Sequence, residues 1–325
     1  MEFNSIIFPC PKPSYSAQSL FGNIIYIPKS KQFSISEIQA FRSNLSLSKQ
    51  VIANQVNSPK RKHFKFNMET LQEANTYEYL PCLFLPYNGG STKVLLYFHG
   101  NAEDIGGTVT LLETLKSKLK VHIIAMEYPG YGIYKGKPDA DTILKDTEYL
   151  FNFLTKMLGL KTSDIIVFGR SIGSGPATFL AGKYKIFALA LMSPYTSIRA
   201  VARHLVGRVG GLLVADRFRN VDYIKRVKSP ILIVHGMKDR LIPYVQSQEL
   251  CEKCQEAMMV LPENMDHNIF DTEQDLILPF KRFLKKNDYE PEPKVLHLGR
   301  LSIPPSLFIK PMEASNKSWF SRLFN

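Results

Sequence analysis

The chain has 325 residues, 45% of them apolar, which is enough to fill the core of one large domain with extensions, or of two domains at most; wholesale disorder is excluded. Its 41 Lys and Arg against 29 Asp and Glu leave a net charge of +12, a balance that favours anionic partners such as the inner leaflet of a membrane. No uncharged apolar run reaches the roughly 18 residues that a membrane-spanning helix needs, and four cysteines are too few for a disulfide framework.

Residues 1–75 read as an N-terminal extension rich in Ser, Asn, Lys and Pro. Met1 to Cys10 has no basic opening and only a short apolar stretch before Pro9, unlike a secretory signal. Reduced thiols, and hence a cytoplasmic setting, are the expectation. Cys10 lies in an apolar, proline-rich segment; an ordinary thiol is the simpler reading and a lipidation site the alternative. Lys60-Arg61-Lys62-His63 is the densest basic cluster, a solvated loop or else a patch for peripheral contact with an anionic membrane. No nucleic-acid-binding motif accompanies it, so no nucleic acid partner is expected.

From residue 76 to 287 strand-like and helix-like segments alternate, which predicts an α/β domain with a mostly parallel central sheet and helices on both faces. The strand candidates are short, apolar and bounded by turn residues: Tyr79 to Leu85, Val94 to Phe98, Val121 to Met126, Asp164 to Phe168, Phe187 to Met192, Ile231 to His235 and Ala257 to Leu261. Helical spacing of apolar residues marks Asp141 to Leu158 and Glu273 to Lys286. Tyr195 to Ser229 leaves room for one or two short helices, such as Ile198 to Val206, and for little or no cap domain. Within it, Val209 to Ala215 would either line an acyl groove or pack into the core. Residues 288–325 form a proline-rich tail whose aromatic and basic end, Ser318 to Phe324, would touch a bilayer or dock on the domain itself. Cys251 and Cys254 form a C-x-x-C pair in a helix-like stretch with no second pair and no suitably spaced histidines. Helix surface is the simpler reading there, and no cofactor or metal site is expected.

The chemistry is carried by Gly169-Arg170-Ser171-Ile172-Gly173, a G-x-S-x-G between a strand and a helix of small residues. A serine on such a turn is lifted clear of the sheet, and side chains two positions either side would collide with neighbouring backbone, hence Gly169 and Gly173. A serine hydroxyl needs a base within hydrogen-bond reach, and the base needs a carboxylate to orient it. Asp239 leaves the carboxyl end of the strand Ile231 to His235, and His267 lies in the loop after Ala257 to Leu261, in the order serine, acid, histidine. Asp266 is adjacent to His267 and poorly placed to orient its ring. The loop after Met192, Ser193-Pro194-Tyr195-Thr196, has no carboxylate to serve instead. His99 and His235 end strands and read as packing or strand-end hydrogen-bonding groups. For a developing oxyanion the expected donors are the backbone N–H groups of Ile172 and Asn101.

Taken together, Tyr97-Phe98-His99-Gly100-Asn101-Ala102-Glu103-Asp104, Glu127-Tyr128-Pro129-Gly130-Tyr131-Gly132, the Gly169 to Gly173 turn, Ser193 to Ser197 and Asp266-His267-Asn268 resemble the α/β-hydrolase domain-containing protein 17 family. The resemblance runs from about Tyr77 to Leu284 and is weaker over Pro9 to Ser16. It implies the α/β-hydrolase fold, with Ser171, Asp239 and His267 as a catalytic triad. The implied activity is that of a membrane-associated serine hydrolase removing palmitate from protein cysteines through an acyl-enzyme, with S-acylated proteins or other acyl esters as substrates. Two departures stand out. The family's animal members carry a cluster of acylated N-terminal cysteines where this chain has only Cys10, and one acyl chain alone binds membranes marginally. The segment beyond Asn287 is also unlike the family. A general carboxylesterase or lipase, a serine aminopeptidase-like hydrolase and an inactive scaffold of the same fold are the alternatives.

Overall fold

A computed structural model describes residues 7–20, 22–29, 78–290, 301 and 303–310. The Lys60 to His63 cluster and the Ser318 to Phe324 end lie outside them. Among the described residues eight strands form one sheet in the order β1-β2-β4-β3-β5-β6-β7-β8. They are β1 (Ile24–Lys29), β2 (Glu78–Leu85), β3 (Val94–Phe98), β4 (His122–Met126), β5 (Ile165–Arg170), β6 (Ala188–Met192), β7 (Ile231–Val234) and β8 (Ala257–Val260). From β4 to β8 every neighbouring pair is parallel, while β1 and β2 run antiparallel at one edge.

The parallel strands are apolar on both faces because both faces are covered. On one side Leu95 and Tyr97 of β3 and Ile166 and Phe168 of β5 pack with α1 (Val109–Leu119) and α7 (Leu278–Lys286). On the other, Leu96, Phe98 and Val167 meet α2 (Ala140–Asn152) and α3 (Ser174–Lys183). Asp139 caps α2 by accepting the Thr142 N–H at 2.9 Å. The expected helix Asp141 to Leu158 is regular only to Asn152. A π-turn over Phe153–Met157 follows, and it buries Phe153, Leu154 and Met157 together.

The boundaries expected at residues 75 and 288 do not separate folded from appended chain. β1 pairs along its whole length with β2, and Ile25 and Ile27 are fully buried. Phe8 and Tyr15 also enter the core. At the other end Tyr289 is buried, its hydroxyl donating to the Lys120 carbonyl at 3.0 Å, and Ile303 and Leu307 join the α2 side of the core.

Between β6 and β7 lie α4 (Ile198–Leu212) and the one-turn α5 (Asn220–Tyr223). α4 outruns the expected Ile198 to Val206 and is broken at Gly207, whose φ of +78° is the glycine-favouring left-handed range. Core packing, one of the two expectations for Val209 to Ala215, holds only for Val214; Val209, Leu212 and Leu213 are exposed. α6 (Val245–Lys253) precedes β8, and its Cys251 is a free thiol with its pKa pushed up to about 11 by burial. Among the described residues no helix is long and apolar enough to cross a membrane.

Ile25→Ala tests whether β1 belongs to the folding unit. Removing buried aliphatic volume there should lower stability by about 2–4 kcal/mol, seen as a lower midpoint in a urea melt; an unchanged midpoint would make β1 dispensable.

Candidate active site

β5 ends in a tight bend. Ser171 has φ +50°, a left-handed conformation that costs a non-glycine residue energy and is held only where surroundings enforce it. A Cβ on Gly169 would collide with the Gly173 carbonyl, and one on Gly173 with the carbonyls of Phe98 and His99. The bend is therefore wedged between α3 and the end of β3, and only glycine fits at both positions. α3 starts three residues beyond Ser171, so its N-terminal dipole points at the bend.

Loops from β5, β7 and β8 bring the three predicted side chains together. The Ser171 hydroxyl lies 3.0 Å from Nε2 of His267, and Nδ1 of His267 lies 2.7 Å from Oδ2 of Asp239. All three residues are buried. Oδ1 of Asp239 accepts the N–H groups of Leu241 and Ile242 at 3.0 and 2.8 Å. Burial pushes the Asp239 pKa up, but hydrogen bonds from His235, His267 and the Ile242 N–H outweigh it and hold the carboxyl well below the usual carboxylate range. An ionised Asp239 can only accept. The His267 proton then sits on Nδ1, and Nε2 faces the serine as an acceptor.

Asp266 does not compete. Its side chain accepts the N–H groups of Asn268 and Ile269, closing the local turn. His235 does more than end a strand. Its Nε2 lies 2.7 Å from the Ile242 carbonyl and 3.2 Å from Oδ2 of Asp239, and its Nδ1 meets the Ser247 hydroxyl at 2.6 Å. It is a second donor behind the acid.

Arg170, hidden in the variable position of the G-x-S-x-G, is the residue that pattern reading misses. Its Nη1 donates to both oxygens of Glu103 at 3.0 Å, and its Nη2 to the His267 carbonyl and to Oδ1 of Asn268 at 3.1 Å. One guanidinium thus ties the loop after β3 to the loop that carries His267. The signal available in the sequence was an acidic residue, Glu103, in the loop expected to supply an oxyanion donor. Tyr195 braces the bend from the other side, its hydroxyl donating to the Ile172 carbonyl at 3.1 Å.

Ile172 is buried just past the bend, and Asn101 sits in the loop after β3 that the bend touches. The Asn101 side chain has a fixed place: Oδ1 accepts the Tyr131 hydroxyl and Nδ2 donates to the Ile7 carbonyl, both at 2.8 Å. Beneath the same loop both ring nitrogens of fully buried His99 face acceptors, the Gly100 carbonyl at 2.9 Å and Glu127 at 3.0 Å. Burial lowers the His99 pKa, but the bonds to Glu127 raise it more, and the net shift is upward. The Tyr15 hydroxyl completes the group by donating to Glu127 at 2.9 Å. Among the described residues no cluster of three or more His, Cys, Asp and Glu side chains could hold a metal ion.

A mostly parallel sheet with these residues on loops at its carboxyl edge defines a hydrolase of the α/β-hydrolase fold. Solved structures share that fold. An esterase of Pyrococcus furiosus superposes with a TM-score of 0.56 at 15% identity, over 70% of this chain and 97% of that one. Est1E from Butyrivibrio proteoclasticus does so at 0.54 and 18%, over 64% and 95%. No protein-family model matches the chain. Sequence relatives include alpha/beta hydrolase domain-containing protein 17B of Homo sapiens, 31% identical over 208 residues, 64% of this chain and 71% of that protein. Protein 17C of Xenopus laevis is 27% identical over 290 residues, 85% and 90% of the two. The chain belongs to the α/β-hydrolase domain-containing protein 17 family.

Two substitutions probe this geometry. Arg170→Ala should slow labelling of Ser171 by a fluorophosphonate probe about 10- to 100-fold through misplacement of the base, with Arg170→Lys restoring little because it lacks the fork; unchanged labelling would make the clamp purely structural. Because the folded pKa of Asp239 is depressed, its stabilisation is complete above the unfolded value of about 3.9 and is lost as pH falls towards the folded one. Asp239→Asn should therefore melt below the wild type at pH 7, and the gap should begin to narrow only when melts are taken below about pH 4.

Proposed function

We propose that the protein is a serine hydrolase that cleaves acyl thioesters, with palmitoylated protein cysteines as its substrates. The observation that carries the hydrolytic mechanism is the hydrogen-bonded run from the Ser171 hydroxyl through His267 to Asp239. The thioester substrate rests on the family resemblance of the loop sequences.

In this reading Ser171 Oγ attacks the thioester carbonyl carbon while its proton passes to Nε2 of His267. Asp239 stabilises the imidazolium that results. The Ile172 and Asn101 N–H groups receive the negative charge on the carbonyl oxygen, where each such donor is worth roughly 100- to 1,000-fold in rate. Collapse breaks the carbon–sulfur bond, and the departing cysteine sulfur takes the proton from Nε2. A water then gives its proton to the same nitrogen, attacks the acyl-serine, and releases the fatty acid with Ser171 regenerated. Arg170 acts as a positioning residue, holding the base loop and the oxyanion loop at fixed separation.

The test compares three substrates of one purified protein: a fatty-acyl thioester, a short ester and an aminoacyl amide. The thioester should turn over fastest, an acyl adduct should appear on Ser171 by mass spectrometry, and Ser171→Ala should lose turnover by a factor on the order of a million. Preference for the ester would make it a carboxylesterase. Failure of the wild type to react with substrate or fluorophosphonate would make it a scaffold.

A further inference from the structure

Gly100 is held at both of its backbone polar groups. Its N–H donates to Glu103, and its carbonyl accepts Nδ1 of His99 at 2.9 Å. In a trans peptide the carbonyl and the next N–H point opposite ways. With the Gly100 carbonyl turned onto the His99 ring, the Asn101 N–H is turned away from it, and among the described residues that N–H meets no acceptor. An unpaired backbone donor beside a nucleophile is what a developing oxyanion needs. Ala102, next in the chain, stands at φ +57°, so the loop does not keep its shape by local preference.

The ring of His99 is fixed in turn. Tyr128 stacks on it with ring centroids 3.9 Å apart, and the Tyr128 hydroxyl donates to the His99 carbonyl at 2.9 Å. Nε2 of His99 meets Oε1 of Glu127 at 3.0 Å. Oε1 also accepts the Tyr128 N–H at 3.1 Å, while Oε2 accepts the Tyr15 hydroxyl at 2.9 Å and the Ile105 N–H at 3.3 Å. All four acceptor positions of the carboxyl are thereby used. Three of the donors belong to the loops after β3 and β4; the fourth, Tyr15, comes from the N-terminal segment, 112 positions before Glu127. Burial and the neighbouring Glu127 charge push the Tyr15 pKa well up, so its phenol remains a donor. We propose that Tyr15 is a positioning residue for hydrolysis: through Glu127 and His99 it fixes the Gly100–Asn101 peptide with its N–H towards the acyl oxygen. This rests on the serine-hydrolase reading of Ser171, whichever acyl bond is cleaved. Without the hydroxyl, Oε2 loses its shortest hydrogen bond, Glu127 gains freedom to turn, and His99 loses the fixed acceptor that orients it. The peptide it grips then samples orientations that leave the oxyanion with Ile172 alone. Donors of this kind act on the transition state more than on bound substrate, so the loss falls on kcat.

The experiment compares the full-length wild type with Tyr15→Phe and Glu127→Gln on two substrates, a fatty-acyl thioester and a short ester. It also measures binding of a fatty-acyl trifluoromethyl ketone, to which a serine hydroxyl adds to form an oxyanion. Tyr15→Phe keeps the ring and its packing, so its midpoint in a urea melt should stay near that of the wild type. In both variants kcat should fall about 5- to 30-fold with KM within about twofold, and ketone affinity should fall by the same factor as kcat/KM. Ser14→Ala loosens the neighbouring contact to Asp104 and leaves Glu127 alone. It should change kcat by less than about twofold. An unchanged kcat in Tyr15→Phe, a raised KM at constant kcat, or an equal loss in Ser14→Ala would each overturn the proposal. A kcat loss on the ester, in a protein that leaves the thioester intact, supports the positioning role and discards the thioester reading alone. A wild type that turns over neither substrate overturns both.

Discussion

Both oxygens of Asp239 receive hydrogen bonds, and the direction of those bonds organises everything around them. Two backbone N–H groups occupy one oxygen, and His267 and His235 share the other. A carboxylate so supplied keeps its negative charge, so the ring of His267 must offer it a proton and present a lone pair at its far end. The serine is then the donor at the end of the line. Losing the charge would leave no reason for that polarity, whatever the distances.

The second constraint is steric. The bend that carries Ser171 exists because two glycines let it press against α3 on one side and the carbonyls of Phe98 and His99 on the other. This contact sets the loop after β3 next to Ser171. Arg170 then converts proximity into fixed geometry by gripping Glu103 and the His267 carbonyl at once.

The parallel strands were readable because each is a short apolar run closed by turn residues, and the G-x-S-x-G because its context was a strand and a helix. β1 was not. Ile24 to Lys29 is brief, contains Pro28, and pairs with a strand some fifty positions on, so no local period announces it. The Arg170 clamp and the pairing of Glu127 with His99 and Tyr15 escaped for a related reason. Each works through a partner distant in sequence, such as the 112 positions between Tyr15 and Glu127, and such pairings leave no periodicity to detect. The exposed side of α4 was half legible: its apolar content was plain, but whether it faced inward depended on Gly207 and on what packs beside it.

The stretch Ile7 to Tyr15 crosses the front of the domain as a strap. The Ile7 carbonyl is held by Asn101, Ser14 donates its N–H and hydroxyl to Asp104, and Tyr15 reaches Glu127. Three side chains from two neighbouring loops are thereby pinned from a part of the chain that the alternating pattern omits. The smallest piece able to hold these loops in place is accordingly longer than the repeating strand-and-helix region, and a recombinant fragment begun at residue 76 would leave the loop after β3 without its outer tether.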